Sequence, residues 1–258
     1  MARPIVGIIG NSHLINDRYR VHGAGLHCSR AVAKVSQCTP LIVPTDPELV
    51  SVEELMDQCD GFLFTGGRPN VHPNEYGHDE TEAHGTFDRD RDRIALPLVR
   101  ALTERGQPYL GVCRGFQEVA VAYGSTLHPE IRELPGRMNH RMPPDGTEEE
   151  VFALRQKVTF QDGGPFAALM GDTVVMTNTL HGQGVDETGD RIVIDGVADD
   201  GTPEALYVKG ASGFTLSVQW HPEYNAENDP VSQKLFGAFG DAVRDWAACG
   251  ARPKLKSA

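Results

Sequence analysis

One cysteine of this chain stands in a context that suits covalent acyl chemistry. Residues 108–117 read PYLGVCRGFQ, which predicts a short buried strand, a Gly-x-Cys-x-Gly turn around Cys113 and the start of a helix. This is the layout of a nucleophile elbow, with cysteine in the place of serine. The first N–H groups and the positive dipole end of that helix favour a thiolate, which is the form that attacks carbonyl carbon. A buried structural cysteine in a tight turn is the alternative.

A histidine and a glutamate near the C-terminus complete the groups that such a cysteine needs. Residues 214–220 alternate like a strand and lead into His221, Pro222 and Glu223. An imidazole must hold the thiol proton and later give it to the leaving amine, and a third group must orient the ring. We predict that His221 is this base and that Glu223 orients it, since Pro222 presets a turn between them. A histidine that only caps a loop is the alternative.

A glycine pair is the candidate for the electrophilic side of the site. Residues 60–67 read DGFLFTGG, which predicts a buried strand and a Gly-Gly turn with backbone N–H groups open to a ligand. We predict an oxyanion hole made by the N–H groups of Gly67 and Arg114, with Gly66 in the substrate pocket. An ordinary turn at the end of a strand is the alternative.

Alternating strand and helix patterns predict the scaffold that positions these residues. The predicted fold class is α/β, an open and mostly parallel sheet with helices on both faces and some antiparallel strands in the C-terminal half. All three candidate segments follow the carboxyl ends of predicted strands, and ligands bind along that edge of such sheets. The predicted strands are 5–9, 41–43, 61–65, 109–112, 174–177, 192–197, 205–209 and 215–220, and the predicted helices are 23–35, 52–59, 87–105, 114–123 and 230–247.

Three local features modify this scaffold. Pro97 is expected to kink or split the helix at 87–105. Residues 128–170 are rich in proline, histidine and charge, and we expect them to form an excursion over the active-site edge. The alternating charges of residues 88–93 (DRDRDR) indicate an exposed, ion-paired helix face.

Composition limits the classes of function. With 258 residues, of which 40% are hydrophobic, the chain suits one domain over residues 1–249 and a frayed tail at 250–258. The net charge of −12 argues against nucleic acid or an anionic membrane as a partner. The sequence shows no long apolar run and no signal-peptide order. Five cysteines without CxxC spacing favour a reducing cytoplasm as the location.

A polar loop raises the question of a metal site. His72, His78 and His84 lie there among acidic residues, but their spacing matches no regular ligand pattern. A loop of this polarity is normally solvated. We therefore predict no metal ion there. Acyl transfer by Cys113 requires neither a metal nor an organic cofactor, and we predict none.

Several motifs together resemble a known family. The segments GVCRGFQ around Cys113, WHPE at 220–223 and TGG at 65–67 are similar to those of a class I glutamine amidotransferase domain, and more narrowly of its γ-glutamyl hydrolase branch. The stretches RPNVHPNEYG at 68–77, STLH at 125–128 and NTLHGQG at 178–184 resemble the γ-glutamyl-γ-aminobutyrate hydrolases of putrescine breakdown. The resemblance spans about residues 4–247 and departs at 18–27, 66–68 and 129–165, which leaves the leaving amine open.

The resemblance implies the activity and a substrate loop. It implies cysteine-dependent hydrolysis of a small-molecule γ-glutamyl amide, with γ-glutamyl-γ-aminobutyrate as the foremost substrate. The loop at 178–184 would hold the α-amino and α-carboxylate groups of the glutamyl moiety, which makes Asn178, Leu180 and His181 substrate-binding candidates. From spacing alone, His181 could equally stabilise the loop. Gln117, one turn into the elbow helix, could line the same pocket or be a glutamine at the surface or core edge.

Other functions stay open on the sequence. The chain could be a glutaminase subunit that delivers ammonia to a separate synthase, or a folate poly-γ-glutamate hydrolase. A binding protein without catalysis is disfavoured, because nucleophile, base and orienting group are all present. The sequence allows a homo-oligomer.

Overall fold

A nine-stranded sheet forms the centre of the computed structural model, which describes residues 2–249. The predicted tail at 250–258 lies outside the described residues, and the assignment of residues 1–249 to one domain stays a prediction. Two small sheets, β2-β3 and β7-β10, lie beside it. In chain order the strands of all three sheets are β1 (Ile5–Ile9), β2 (Asn11–Ile15), β3 (Tyr19–Gly23), β4 (Thr39–Val43), β5 (Gly61–Phe64), β6 (Tyr109–Val112), β7 (Leu127–His128), β8 (Gln156–Phe160), β9 (Val174–Thr177), β10 (Gly184–Val185), β11 (Ile192–Ala198), β12 (Pro203–Val208) and β13 (Ser217–Val218).

Helices of very different lengths connect these strands. They are α1 (Leu26–Arg30), α2 (Val52–Gln58), α3 (Arg89–Arg105), α4 (Arg114–Ala122), α5 (Glu148–Val151), α6 (Pro165–Met170) and α7 (Pro230–Ala248), with a π-helical segment at Ala31–Val35 that continues α1. Short 3-10 turns lie at Pro73–Tyr76, Glu82–His84 and Ile131–Glu133. Within residues 2–249, no helix has both the length and the apolar character that a membrane crossing requires.

The order of the main sheet is β4-β1-β5-β6-β13-β12-β11-β8-β9. The pairings from β4 through β13 are parallel, and those from β13 through β9 are antiparallel. This arrangement confirms the predicted fold class. The carboxyl ends of β5, β6 and β13 lie side by side in the parallel part, so the three candidate segments emerge at one edge of the sheet.

Continuous apolar strands explain why this part of the sheet is covered on both faces. All four residues of β5 are buried, as are all four of β6, which is the pattern of central parallel strands. Phe62 and Phe64 pack into a core with side chains from α2, α3 and α4. Leu63, between them, points to the other face and packs into a core with α6 and α7. The two cores fix the position of the edge where the site lies.

The structure corrects several expectations about the N-terminal half. The helix expected at 23–35 begins only at Leu26, and a β2–β3 hairpin precedes it. Asn16 and Asp17 form its turn with φ values of 52° and 50°, a left-handed conformation that these residue types tolerate. Helix α3 runs unbroken through Pro97, so the expected split is wrong. Its buried neighbours Leu96 and Leu98 supply packing that offsets the missing backbone hydrogen bond.

Two further expectations also need correction. The excursion predicted at 128–170 is shorter, because β8 belongs to the main sheet and α6 packs on its core. The alternating burial of β8 is the ordinary signal of a half-buried strand. The DRDRDR segment is not an exposed face throughout, since Arg91 and Asp92 are buried while Asp90 and Arg93 are not.

Candidate active site

Cys113 occupies a sharp turn between β6 and α4. Its φ of 52° and ψ of −104° are unusual for a residue with a side chain, and such conformations cost of the order of 1–3 kcal/mol. A methyl group on Gly115 would overlap the carbonyl oxygen of Phe64, and one on Gly111 would lie 2.8 Å from the carbonyl oxygen of Gly115. Glycine at both positions therefore lets the strand, the turn and the helix approach closely. The turn has the strand–cysteine–helix geometry that the sequence predicts.

The two other predicted catalytic side chains meet this cysteine. His221 follows β13, and its ring lies close enough to the side chain of Cys113 for each group to shift the pKa of the other. The Nδ1 atom of His221 lies 2.7 Å from Oε1 of Glu223. Sulfur, imidazole and carboxylate thus lie in series at the carboxyl edge of the sheet.

Asn178 fixes the backbone of this histidine. Its Nδ2 donates to the carbonyl oxygen of His221 at 2.9 Å, and its Oδ1 accepts the N–H of His221 at 2.8 Å. Both polar atoms of the Asn178 amide bind the backbone of His221, and they thereby help to fix the position from which the imidazole projects. Its predicted contact with substrate stays a prediction.

The charges of the sulfur and the imidazole stabilise each other. Burial acts to raise the pKa of Cys113, but the positive charge of the nearby His221 outweighs burial and holds this pKa below the ordinary thiol value. Burial acts to lower the pKa of His221, but the charges of Glu223 and of Cys113 raise it well above the ordinary imidazole value. We infer a thiolate–imidazolium pair as the resting form, since the two pKa values move in opposite directions.

Replacing His221 by asparagine is expected to move the ionisation of Cys113 to higher pH. Without the imidazolium, burial dominates, and the pKa of the thiol should rise above its ordinary value. The measurement is the rate of iodoacetamide alkylation of the Cys113 peptide against pH, followed by mass spectrometry. Cys249, which is exposed, is the reference within each sample. An unchanged midpoint in His221→Asn would contradict the ion pair.

The glycine turn after β5 lies against the same two side chains. A methyl group on Gly66 would lie 2.6 Å from Cε1 of His221 and 3.4 Å from Cβ of Cys113. Within residues 2–249, no hydrogen bond engages the N–H of Gly67 or that of Arg114. These two donors are therefore free to bind another acceptor, and their role as an oxyanion hole stays a prediction.

His181 is buried and held on both sides of its ring. Nδ1 lies 3.0 Å from the carbonyl oxygen of Gln183, and Nε2 lies 3.2 Å from Oε1 of Glu204. Burial acts to lower the pKa of His181, but the charge and hydrogen bond of Glu204 outweigh it and raise this pKa. The resulting positive charge helps to lower the pKa of Cys113. The structure thus gives His181 an electrostatic connection to the sulfur, and its predicted contact with substrate remains to be tested.

Two further substrate candidates lie around the same loop. Nε2 of the buried Gln117 donates to the carbonyl oxygen of Gln183 at 2.8 Å and to Oε1 of Gln219 at 3.1 Å. These contacts make it a core-edge side chain that ties α4 to the loop. Leu180 lies between Asn178 and His181 and is partly exposed. A substrate contact by Gln117 or Leu180 stays a prediction.

Sequence reasoning missed the buried polar residues behind this loop. His140 stacks on His181 with ring centres 4.8 Å apart, and its Nε2 lies 2.8 Å from Oδ2 of Asp200. Ligand atoms of His140, His181 and Glu204 lie within 4.8 Å of one another, as a metal site would require. Protein acceptors engage both nitrogens of each ring, so we interpret the group as a hydrogen-bonded network. The sequence signal that could have indicated this network is Glu204, a carboxylate inside the largely apolar strand β12.

Aromatic side chains shield the imidazole on another side. The ring of Phe152 meets that of His221 edge to face at 5.8 Å, and Tyr224 stacks on Phe152 at 4.2 Å. Phe152 comes from the excursion before β8, so this segment does reach the site. Its contact restricts the orientation of the His221 ring.

Comparison with known proteins identifies the family to which these features belong. The sequence profile of the peptidase C26 family matches residues 4–223. The chain belongs to the peptidase C26 family. This membership, together with hydrolases among the relatives, supports hydrolysis as the type of reaction, and it confirms the resemblance to class I glutamine amidotransferase-like proteins.

Relatives of this C26 family member include named hydrolases. The γ-glutamyl-γ-aminobutyrate hydrolase of Escherichia coli O157:H7 is 31% identical over 245 residues, which cover 93% of each chain. The enzyme of the same name from Shigella flexneri is 30% identical over the same length and coverage. Among solved structures, a Thermoplasma acidophilum protein assigned as part of a GMP synthase superposes with a TM-score of 0.63, over 97% of this chain and 98% of that one. At 16% identity, that similarity concerns the fold alone.

Proposed function

We propose that this protein hydrolyses γ-glutamyl amides with Cys113 as nucleophile, His221 as general acid and base, and Glu223 as the group that orients it. The observation that carries the proposal is the proximity of these three side chains to one another at a strained strand-to-helix turn. Strained backbone at a polar cleft is typical of activated nucleophiles. The available N–H groups of Gly67 and Arg114 complete the set of groups that acyl transfer needs.

The proposed reaction proceeds through a thioester. The Cys113 thiolate attacks the γ-carbonyl carbon of the substrate, and the N–H groups of Gly67 and Arg114 stabilise the oxyanion. The His221 imidazolium donates its proton to the nitrogen of the leaving amine, and the C–N bond breaks to leave a γ-glutamyl thioester. The now neutral His221 takes a proton from water, which attacks the thioester carbonyl. The C–S bond then breaks, releasing glutamate and restoring the thiolate–imidazolium pair.

We further propose γ-glutamyl-γ-aminobutyrate, or a related γ-glutamylated amine, as the substrate, with a place in putrescine breakdown. The support is that relatives matching over 93% of both chains are named γ-glutamyl-γ-aminobutyrate hydrolases. At about 30% identity the residues around the leaving amine can differ, so the glutamyl half of the substrate is better supported than the amine half.

The test is the release of glutamate by the purified protein from a panel of substrates. The panel contains γ-glutamyl-γ-aminobutyrate, γ-glutamylputrescine, a poly-γ-glutamate and glutamine, with an α-glutamyl dipeptide as the control for the position of the amide. We expect the γ-glutamyl-γ-aminobutyrate amide to be cleaved best and the α-glutamyl dipeptide not to be cleaved. Cleavage of none of the γ-glutamyl compounds would reject the proposal. Glutamine hydrolysis that requires a second protein would favour an ammonia-delivering subunit instead.

A further inference from the structure

A fully buried arginine lies beneath the active-site edge. Arg91 of α3 is 0% exposed. Its Nε and Nη2 atoms each donate to a carboxylate oxygen of Glu118 at 2.8 Å, and Nη2 also donates to the carbonyl oxygen of Thr65 at 2.6 Å. Nη1 donates to Oδ1 of Asn11 at 2.8 Å and to the carbonyl oxygen of Gly10 at 3.3 Å. Every N–H of the guanidinium is therefore directed at an acceptor.

Asn11 connects this arginine to the glycine turn beside Cys113. While its Oδ1 accepts from Arg91, its Nδ2 donates to the carbonyl oxygen of Gly66 at 2.9 Å. A methyl group on Gly67 would overlap the Asn11 amide, so the Cα of Gly67 rests directly on it. The side-chain amide of Asn11 thus contacts both glycines of the turn, by a hydrogen bond to Gly66 and by packing against Gly67.

The other end of the turn is held by a second buried arginine. Nε of Arg114 donates to the carbonyl oxygen of Pro69 at 2.8 Å, and its Nη2 lies 2.6 Å from Oδ1 of Asp92. Glu118 accepts from both Arg91 and Arg114, so one carboxylate joins the two arginines. Residues 65–69 are therefore tethered through side chains of β2, α3 and α4.

We propose that Asn11, held by Arg91, is a positioning residue that sets the Gly66–Gly67 turn so that its N–H groups face the oxyanion. The inference rests on the proposed function, because an oxyanion forms only if Cys113 attacks a carbonyl. Asn11 contacts neither Cys113 nor His221 in the hydrogen-bond network, so its effect should be confined to the electrophilic side of the site. An oxyanion exists only in the transition state and intermediate, so such a residue should affect kcat more than KM.

The experiment compares Asn11→Ala and Asn11→Asp with the wild-type protein on the best substrate of the panel. Aspartate keeps an oxygen for Arg91 but places a second oxygen against the carbonyl of Gly66, where no bond can form with an ionised carboxylate. We expect kcat to fall roughly 10- to 100-fold in both variants, with KM within about twofold, since a small displacement of an oxyanion donor has effects of this size. The alkylation rate of Cys113 should stay at the wild-type value, because the thiolate–imidazolium pair is untouched.

A matched control lies in the same loop. Nδ2 of Asn70 donates to the carbonyl oxygen of His84 at 2.7 Å, so Asn70→Ala also removes one amide-to-carbonyl bond but leaves residues 65–67 alone. Its kcat should match that of the wild type. Unchanged kcat in both Asn11 variants, a rise in KM alone, or a parallel fall of kcat and alkylation would each overturn the inference while the wild type stays active. A wild-type protein that cleaves none of the panel would reject the proposed function and this inference with it.

Discussion

Replacing Cys113 by alanine is expected to lower hydrolysis of γ-glutamyl amides by roughly 10⁴-fold or more, the loss typical of removing a nucleophile. Alanine has no group that can form the thioester, and neither His221 nor Glu223 can replace the sulfur. The fold should survive, because alanine is smaller than cysteine and Cys113, only 7% exposed, already tolerates its left-handed backbone with a Cβ. Glutamate release measures the activity, and thermal unfolding measures the fold.

A second buried cysteine provides the control for this variant. Burial raises the pKa of Cys38 to about 11, so its sulfur stays a thiol, and it donates to the backbone carbonyl of Ser36 at 3.3 Å away from the site. Cys38→Ala should therefore keep wild-type turnover. Substantial glutamate release by Cys113→Ala, or an equal loss of activity in both variants, would show that Cys113 is not the nucleophile.

The candidate site was predictable from the sequence where its residues lie next to strand ends. The segments that carry Gly67, Cys113 and His221 each follow a short apolar strand, and parallel strands bring their carboxyl ends to one edge. Local pattern and one topological rule were enough to place them together. Glu223 was equally accessible, because it lies only two positions after His221.

The residues that hold this site in place were beyond local pattern. Arg91 and Asn11 are 80 positions apart, and Arg91 and Glu118 are 27 apart. In the sequence, Arg91 stands in a run of alternating charges that is usual for exposed helix starts. Only the tertiary packing of α3 shows that Asp88, Arg91 and Asp92 of the run are buried. Partner identity for a buried charge is a property of the tertiary fold.

The β2–β3 hairpin and the helix around Pro97 show two other ways in which prediction from the sequence failed. Residues 18–22 (RYRVH) alternate in the way that strands do, and the Asn16-Asp17 pair before them is a turn signal. The β2–β3 hairpin could therefore have been found by weighing turn chemistry against helix propensity. The continuity of α3 through Pro97 could not, because it depends on how much apolar surface the helix buries on both sides of the proline.

Replacing Arg91 by methionine is expected to lower the free energy of unfolding by about 3 kcal/mol or more. Methionine fills much of the same volume but leaves the fully buried carboxylate of Glu118 with Arg114 as its remaining cation, and it removes the donors for Thr65 and Asn11. Removing one of its two cations leaves the buried charge of Glu118 only partly compensated, and this cost dominates the change. Urea unfolding followed by tryptophan fluorescence measures the difference.

The matched control is another arginine of the same helix. Arg93 is two positions along α3, 61% exposed, and pairs with the exposed Asp90 at 3.2 Å. Because solvent screens such a pair, Arg93→Met should change the free energy of unfolding by less than about 0.5 kcal/mol. Equal destabilisation by the two variants would mean that loss of any arginine from α3 is what matters, and that the ion pairs beneath the elbow contribute nothing specific to the fold. A larger loss in Arg91→Met would assign stability to the same contacts that we propose to set the oxyanion turn.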